Sequence, residues 1–379
     1  MAGNPPHGAM SEARYGRLLY RLAGPADEAD LRALLRAQPL PGWISLAFTR
    51  EPDYFAAAPL EGERHAVIIA RDRDTGALAG MFSRGVRPVY LNGEARWLPY
   101  LGQLRVAPAY RGGYHRLRHG FTLARQWLRA PDELPFELTS ILADNRAARR
   151  LLTAGLPGMP RYAYLGEMVT LALTARRHRV PGNLETASPA DLPSIAECLC
   201  RNHRRYQLAP LWQRAQLSGS GVYPAPEDFV VMRQGGRVAA CAAIWDQRRV
   251  KQTLVCSYRR PVGLLRPLLN LAGPLLGLPR LPAEGMALRQ AFVSHLAVDE
   301  DDPDALAALL RGLLAKAAAR GLDQLLLGLI TGHPWLALVQ RQFRHLKYPS
   351  LLYLVHWPEQ PPALEALDGR PLHLELAVL

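Results

Sequence analysis

The stretch from Leu104 to Arg116, LRVAPAYRGGYHR, has the residue types of an anion-binding turn. It begins apolar and strand-like and then turns through Arg111, Gly112 and Gly113 into a segment with helical periodicity. A glycine turn at a helix N-terminus directs several backbone N–H groups and the positive end of the helix dipole to one point. Arg111 and Arg116 would add charge-assisted hydrogen bonds to a phosphate. The alternative interpretation is an ordinary strand-to-helix turn in which glycine serves only the backbone angles.

A wider pattern gives this turn a family resemblance. The run LRVAPAYRG, residues 104–112, resembles the signature of the GCN5-related N-acetyltransferases, whose loop wraps the pyrophosphate of acetyl-coenzyme A. The later run TSILADNRAARRL, residues 139–151, is similar to the strand and the Asn-x-x-Ala helix that follow in that family. The order of strands and helices that we predict from about residue 16 to residue 173 matches it as well. The resemblance implies an N-acetyltransferase that uses acetyl-coenzyme A as co-substrate.

The resemblance also implies where the cofactor lies. The strand that ends at Val106 would part from its neighbour and present free backbone groups to the pantetheine arm, while Asn145 would bond the arm from the other side. An amine held close to the thioester would attack its carbonyl directly, helped by positioning and by N–H donors to the developing oxyanion. The expected cofactor-binding residues are Leu104, Val106, Arg111, Gly112, Gly113, Tyr114, His115, Arg116 and Asn145.

The chain departs from the family pattern at three positions. In the usual loop, Arg-Gly-x-Gly-x-Gly/Ala, small residues stand where this chain has Tyr114 and Arg116. We expect these bulky side chains to crowd the pyrophosphate unless the loop shifts and uses Gly113. Leu152 stands where the family has a tyrosine that protonates the leaving thiolate, and leucine cannot transfer a proton.

Other side chains are candidates for the proton transfers. Tyr162 and Tyr164 could reach the site from a returning strand, although half-buried strand tyrosines are the alternative interpretation. An amine is mostly protonated at neutral pH and therefore needs a general base, for which Glu137 and Glu167 are candidates. The alternative for each carboxylate is a solvated strand end.

The periodicity along the chain predicts an α+β fold of two tandem acetyltransferase-like domains. Each half reads as strand, helix, strands, helix, strand, helix and strand, and each would form a mixed, mostly antiparallel sheet flanked by helices. We expect a flexible N-terminus over 1–15, a first domain with the acyl-coenzyme A site over 16–175, a linker over 176–183 and a second domain over 184–379.

The second half differs from the first at the position of the phosphate loop. It reads LAVDEDDPD over residues 296–304, so five carboxylates replace the Arg-Gly turn and would repel a pyrophosphate. Carboxylates at a helix N-terminus are favourable by the dipole argument, which gives them a structural role. We therefore expect a degenerate second domain that does not bind coenzyme A, and we expect no metal.

An apolar segment with basic residues interrupts the second half near residues 258–282. Its Pro and Gly residues are expected to break any long helix, so it cannot span a bilayer. It could make a peripheral contact with an anionic membrane surface or form a lid over an apolar chain. An insertion packed between the domains is the alternative.

Composition limits the remaining classes of function. The 379 residues carry a formal charge of +13 and are 49% hydrophobic, which favours a two-domain globular protein with an anionic partner. Four cysteines without metal-ligand spacing and a leader without an apolar core fit the cytoplasm. Two alternatives remain: a catalytically silent coenzyme A-binding protein, and a Fem-like transferase that uses aminoacyl-tRNA. We otherwise expect no nucleic-acid partner, and neither the amine acceptor nor the oligomeric state follows from the sequence.

Overall fold

The computed structural model describes residues 12–276, 280–360 and 363–379, and most strands in these ranges join one mixed sheet. The strands of the chain are β1 (Glu12–Tyr15), β2 (Leu18–Leu22), β3 (Ile44–Thr49), β4 (Arg64–Asp72), β5 (Leu78–Leu91), β6 (Glu94–Val106), β7 (Glu137–Leu142), β8 (Arg161–Thr174), β9 (Leu184–Thr186), β10 (Phe229–Gln234), β11 (Arg237–Trp245), β12 (Gln252–Tyr258), β13 (Gln290–Val298), β14 (Gln324–Ile330) and β15 (His345–His356). Thirteen of them form the sheet in the order β1-β2-β4-β5-β6-β7-β15-β8-β14-β13-β11-β10-β9, and β3 pairs with β12 in a separate ribbon.

The described ranges contain eight α-helices, six of which cover the two faces of this sheet. They are α1 (Glu28–Arg36), α2 (Ala58–Glu61), α3 (His115–Leu128), α4 (Arg146–Leu152), α5 (Leu192–His203), α6 (Arg260–Leu276), α7 (Pro303–Ala319) and α8 (Leu336–Gln342). Apolar residues at helical spacing bury one side of each long core helix, as Leu31, Leu34 and Leu35 do on α1. The buried clusters place α3, α4, α7 and α8 on one face of the sheet and α1 and α5 on the other.

The two halves of the chain repeat one topology, as the sequence predicts. The series β2, α1, β4, β5, β6, α3, β7, α4, β8 corresponds to β9, α5, β10, β11, β13, α7, β14, α8, β15. A Pro-Ala-Asp turn opens the first helical segment in both halves, at Pro25–Asp27 and at Pro189–Asp191. The prediction of an α+β fold with two tandem units of one topology is therefore confirmed.

The last strand of each half pairs within the other half. β15 of the second half lies between β7 and β8 of the first, and β8 lies between β15 and β14. The two halves therefore exchange strands at the centre of the sheet. The β8–β15 register runs antiparallel from Arg161 opposite His356 to Leu173 opposite His345. A strand of the other half therefore pairs with the free edge of β7 in the first half and of β14 in the second.

Two expectations about local structure need correction. Residues 1–11 of the expected flexible N-terminus lie outside the described residues, but Glu12–Tyr15 form β1 and pair with β2. The segment 258–282, of which residues 277–279 lie outside the described ranges, contains a helix of 17 residues, α6. Proline at its second position removes only an N–H that has no helical partner, and the helix continues through Pro267. No helix among the described residues is both long and apolar enough to cross a membrane.

Candidate functional site

A gap opens between β6 and β7 on the first half of the sheet. The two strands run parallel and pair at one position, Tyr100 opposite Leu138. The Thr139 hydroxyl donates to the Leu101 carbonyl at 2.8 Å and closes the narrow end of the gap. Beyond this point the strands diverge toward their carboxyl ends, where parallel strands expose backbone groups to a ligand. The structure thus contains the splayed strand pair that the resemblance implies.

A β-bulge at Gln103 bends β6 at the narrow end of this gap. Pairing with β5 shifts between Met81 opposite Arg105 and Ser83 opposite Gly102, which leaves an extra residue on β6. Gln103 has a φ of 54°, a conformation that non-glycine residues rarely adopt. Such bulges leave a residue unpaired and re-aim its backbone groups.

The side chain of Gln103 belongs to a buried polar group that we call the apex cluster: Arg50, Tyr54, Glu61, His65 and Gln103. Tyr54 donates to the Gln103 amide oxygen at 3.0 Å, and the Gln103 amide nitrogen donates to Glu61. Glu61 also pairs with Arg50, and its other carboxylate oxygen lies 2.8 Å from His65 Nε2. Burial and the neighbouring Arg50 lower the pKa of His65 to about 3, so its imidazole is neutral at physiological pH.

The loop from Arg111 to Arg116 forms an open turn at the N-terminus of α3. Gly112 and Gly113 have φ values of 100° and 73°, and the space beside both is empty within 4 Å. The glycines therefore serve the backbone conformation and leave room for a ligand. Arg111 and His115 are exposed there.

The bulky residues Tyr114 and Arg116 do not line the open side of this turn. Tyr114 packs against the apolar cluster beneath α3, and its ring lies 4.3 Å from that of His115. Arg116 donates to the Tyr110 carbonyl at 2.7 Å and so braces the loop from within. Both side chains turn toward the protein and leave the open side of the turn clear.

The edge of β6 that faces the gap ends at Val106. The Ala107 N–H bonds to the Ala79 carbonyl on β5, so the backbone of Val106, and that of Leu104 two residues earlier, is directed to the opposite edge. The Val106 carbonyl accepts from the side chains of Gln38 at 3.2 Å and Arg111 at 3.3 Å. These two side chains cover the end of the edge and would have to turn away for a ligand to bond there.

Asn145 lies across the gap, where β7 ends and α4 begins. Its side-chain oxygen caps the helix by accepting the Ala148 N–H at 3.2 Å, which leaves its amide nitrogen without a partner in the described part of the chain. The next residue, Arg146, and Arg150 one turn later are exposed on α4. The wide end of the gap is therefore flanked by the glycine turn on one side and by a basic helix start on the other.

The predicted proton-transfer residues are not brought together at the gap. Glu137 lies beside its narrow end, but the buried Arg84 guanidinium binds its carboxylate at 2.5 Å. Tyr162 and Tyr164 lie on β8, which β15 separates from β7, so they stand roughly 10 Å from β7. Burial raises the pKa of Tyr162, while Tyr164 is 54% exposed. Glu167 lies on the same strand and is equally remote.

Strand exchange places a different tyrosine next to β7. Tyr353 of the second half lies opposite Thr139, on the face that carries α3 and α4, and the rings of Tyr162 and Tyr164 pack edge-on against it at 6.0 and 5.8 Å. Leu152 is buried in the same apolar cluster. Tyr353 could not be predicted from the sequence, because its neighbour in the sheet lies in the other half of the chain. Tyr54, Glu61 and His65 were missed as well, because they share no local spacing with the glycine turn.

The second half contains a corresponding gap that the protein itself fills. β13 and β14 pair from Gln290 to Phe292 and then diverge. The C-terminal segment enters there: the Glu375 carboxylate accepts the His295 N–H at 2.9 Å, and a Cβ on Gly328 would lie 2.8 Å from the Leu376 Cβ. Burial raises the pKa of Glu375 to about 7.

The acidic turn of the second half is also occupied by protein groups. Asp299 binds Arg201 and Arg237, Asp301 binds Arg205 and Tyr206, and Asp302 caps α7. These carboxylates stabilise the start of α7 and hold neighbouring elements against it. Among the residues described, no group of three or more His, Cys, Asp or Glu side chains is arranged to hold a metal ion.

No protein-family profile and no curated protein matches the sequence, whereas solved structures match the fold. N-myristoyltransferase of Saccharomyces cerevisiae, solved with bound myristoyl-CoA, is 12% identical at a TM-score of 0.59, over 92% of this chain and 85% of that one. A GCN5-related N-acetyltransferase from Sphaerobacter thermophilus is 14% identical at 0.52, over 93% and 99%. A GCN5-related glucosamine N-acetyltransferase region of a fungal GH3 β-N-acetylglucosaminidase is 13% identical at 0.56, over 90% and 38%. Through its splayed β6 and β7 and the repeated topology of its halves, the chain has the fold of the GCN5-related N-acyltransferases.

Proposed function

We propose that this protein is an N-acyltransferase that binds an acyl-coenzyme A, acetyl-coenzyme A in the first instance, in the gap between β6 and β7 and transfers the acyl group to an amine. The observation that carries the proposal is the combination of an unpaired strand edge with an open, arginine-flanked glycine turn at a helix N-terminus. The fold is shared with proteins solved as N-acyltransferases, one of them with an acyl-CoA bound.

The residues around the gap support a proposed place for each part of the cofactor. The N–H groups of the turn and the Arg111 side chain would bind the pyrophosphate, since both are exposed at the wide end. Gly112 and Gly113 leave the space for it, and His115 adds an exposed polar group beside it. The pantetheine would lie along the β6 edge at Leu104 and Val106, with the free amide nitrogen of Asn145 opposite.

The second half indicates how the bulge would act on the thioester. At His295, the bulge residue of β13, the backbone N–H points into the gap and is bound by the Glu375 carboxylate. Gln103 is its counterpart on β6, with the same register shift and nearly the same φ. We assign the Gln103 N–H to the carbonyl oxygen of the thioester, where a fixed donor stabilises the oxyanion that develops in the transition state.

In the reaction the amine nitrogen bonds to the carbonyl carbon, the carbon–sulfur bond breaks and coenzyme A leaves as a thiolate that takes up a proton. Glu61 and His65 are the groups we assign to the proton of the amine, because they adjoin the bulge and are ionisable. Tyr353 lies opposite Thr139 of β7 and replaces Tyr162 and Tyr164 as the proposed acid. Glu137 is the alternative candidate for the base, and Arg84 binds its carboxylate as Arg50 binds that of Glu61.

We further propose that the donor can carry an acyl group longer than acetyl. An apolar cleft with a free volume of about 50 Å³ lies between α3 and the sheet and is lined in part by Leu104 and Val106. Gly120 opens onto it, since a Cβ there would meet Phe82 at 3.4 Å and Tyr20 at 3.7 Å in ordinary contact. A series of acyl-CoA donors of increasing chain length, compared between the wild type and Gly120→Leu, would show whether the cleft receives the chain. Loss of long donors alone in the variant is the expected sign of such a role.

A catalytically silent coenzyme A-binding protein is the second candidate. It is favoured by one observation, the burial of Leu152 in an apolar cluster where the resemblance places the acid tyrosine. Acetyl-CoA and desulfo-CoA should both stabilise the protein against heat if the gap binds the cofactor. Release of free thiol with a panel of amines then separates the two: turnover on any amine supports the enzyme, and stabilisation without turnover supports the silent protein.

Arg111→Ala tests the location of the site. We expect acetyl-CoA to bind roughly five- to tenfold more weakly by calorimetry, because the variant removes a charge-assisted phosphate contact. Arg96→Ala is the matched control. Arg96 is also exposed and lies on β6, but it pairs with Glu94 at the end of that strand away from the turn. Equal affinity of both variants would show that the cofactor binds elsewhere.

A further inference from the structure

The lobe formed by β12 and α6 is an addition to the repeated topology. In the first half, β5 and β6 are joined directly by a turn through Asn92 and Gly93. In the second half, β12, α6 and a connecting segment separate β11 from β13. The common fold is complete without this lobe, so its surface is free to serve another purpose.

An apolar stripe on α6 faces outward. Leu264 and Leu271 are each 79% exposed and Leu268 is 63% exposed, and their spacing places all three on one side of the helix. Leu265, at half exposure, widens the stripe on one flank. Among the residues that the structure describes, no side chain covers it. A contiguous apolar helix face of this kind is the usual mark of an interaction surface.

Positive charge surrounds the stripe. Arg259 and Arg260 are exposed at the start of α6, and Arg280 is exposed after its end. The single acidic residue between 258 and 289 is Glu284, whose carboxylate accepts the Tyr258 N–H at 3.1 Å. Trp43 lies beside the helix start, 63% exposed, with the Arg259 guanidinium 5.4 Å from its ring centre. Arginine and tryptophan at the margin of an apolar face are typical of segments that lie at a lipid headgroup layer.

We propose that α6 docks on the surface of an anionic lipid bilayer. The helix would lie parallel to the membrane, with Leu264, Leu268 and Leu271 inserted among the acyl chains and with Arg259 and Arg260 at the phosphates. The positive charge favours an anionic lipid over a second copy of the chain as the partner. Self-association would bring these arginines together, and their like charges would repel.

The lobe is fixed to the half that carries the gap. β12 pairs with β3 from Gln252 opposite Thr49 to Tyr258 opposite Ile44. The Gln252 side chain also accepts the Glu51 N–H at 3.0 Å and donates to the Glu51 carbonyl at 2.8 Å, next to Arg50 of the apex cluster. Docking would therefore hold the first half at a fixed orientation to the membrane. The docking itself does not depend on acyl transfer.

Co-sedimentation of the full chain with vesicles tests this surface. Phosphatidylcholine vesicles with one third phosphatidylglycerol should bind the protein, and pure phosphatidylcholine vesicles should bind it at least about fivefold more weakly. Changing Leu264, Leu268 and Leu271 together to Ser should weaken binding by at least about tenfold, because the apolar contribution is lost. Changing Arg259 and Arg260 to Gln should weaken binding to the anionic vesicles alone. Leu364→Ser, an exposed leucine outside the lobe, is the control and should bind as the wild type does.

Three outcomes would overturn the proposal. The wild type fails to bind anionic vesicles at low salt, the triple serine variant binds them unchanged, or neutral and anionic vesicles bind equally. A dimer in sedimentation velocity that the triple variant abolishes, without vesicle binding, would assign the stripe to a second copy instead. Since the three leucines are exposed, the variant should keep the thermal stability of the wild type, which circular dichroism checks.

Discussion

Gln103 and His295 adopt the same left-handed backbone conformation, with φ values of 54° and 51°, at corresponding bulges of the two halves. Around His295 the gap is closed, since the Glu375 carboxylate binds its N–H at 2.9 Å. At Gln103 the side-chain oxygen accepts a hydrogen bond from Tyr54 of the apex cluster, and β6 and β7 diverge beyond this residue. One half has thus kept the gap open, while the other has filled it with the end of the described chain.

Two substitutions at the bulge separate the role of the Gln103 side chain from that of its backbone N–H. Gln103→Gly keeps the backbone N–H and tolerates the positive φ, so we expect acyl transfer to fall by less than about tenfold. Gln103→Val disfavours that φ and should lower kcat by about a hundredfold, the effect expected from displacing one oxyanion donor. Steady-state kinetics at saturating acetyl-CoA measures both, with thermal unfolding as the check on folding. Equal losses in the two variants would assign the effect to the side chain.

The close packing at Gly328 predicts that a larger residue there destabilises the protein. Gly328→Ala should destabilise the protein by about 1–3 kcal/mol, because the added methyl group would meet Leu376 in a packed interior. Gly369→Ala is the matched control, since nothing lies within 4 Å of that position. Urea unfolding of both variants gives the comparison. A stability change of the same size at both positions would contradict the close fit of the C-terminal segment in this gap.

Buried histidines predict a loss of stability in mild acid. Burial lowers the pKa of His65 to about 3 and that of His333 to about 4, and it lowers the pKa values of His203, His295 and His373 as well. Because the unfolded chain takes up these protons near the ordinary histidine pKa of 6.5, the free energy of unfolding should fall as the pH drops below it. Each histidine contributes at most about 1.4 kcal/mol per pH unit, and Glu375, whose pKa is raised, opposes one of them.

Urea titrations at pH 7 and pH 5.5 measure this effect. We expect the free energy of unfolding to fall by several kcal/mol over that interval, and His333→Gln to reduce the fall. His115→Gln, at an exposed position in the glycine turn, should leave it unchanged. Constant stability over the interval would mean that the buried imidazoles are charged in the folded protein.

The exchanged strands predict that neither half folds alone. Residues 1–175 lack β15, which pairs with both β7 and β8, and residues 184–379 lack β8. Each fragment should therefore expose long unpaired strand edges and aggregate or remain unfolded. Co-expression of the two fragments should yield a soluble complex, which gel filtration and circular dichroism would detect. A soluble, cooperatively unfolding monomer of either fragment would contradict this account.

Local patterns made much of the first half predictable. The glycine turn from Arg111 to Arg116, the strand before it and the helix after it all follow from neighbouring residues, and the structure places them as expected. The orientation of Tyr114 and Arg116 could not be predicted this way, because it depends on the apolar cluster beneath α3 and on the Tyr110 carbonyl.

The pairing of strands that are distant in the sequence could not be predicted from it. β8 and β15 are apolar strands with similar patterns, and nothing in either indicates which neighbour it takes. Tyr162 and Tyr164 were therefore expected to reach the site from a returning strand, but β15 lies between that strand and β7 and places Tyr353 there. Tyr54, Glu61 and His65 meet at the bulge through tertiary folding alone. For α6, the proline residues predicted an interruption, but the helix continues through Pro261 and Pro267.

A crystal structure of the full chain with desulfo-CoA tests the central claim most directly, because that analogue binds without transferring an acyl group. The account predicts the pantetheine between β6 and β7, its end near Gln103, and the pyrophosphate against the turn from Arg111 to Arg116. Density for the analogue in the gap between β13 and β14, or at a site remote from both gaps, would contradict it.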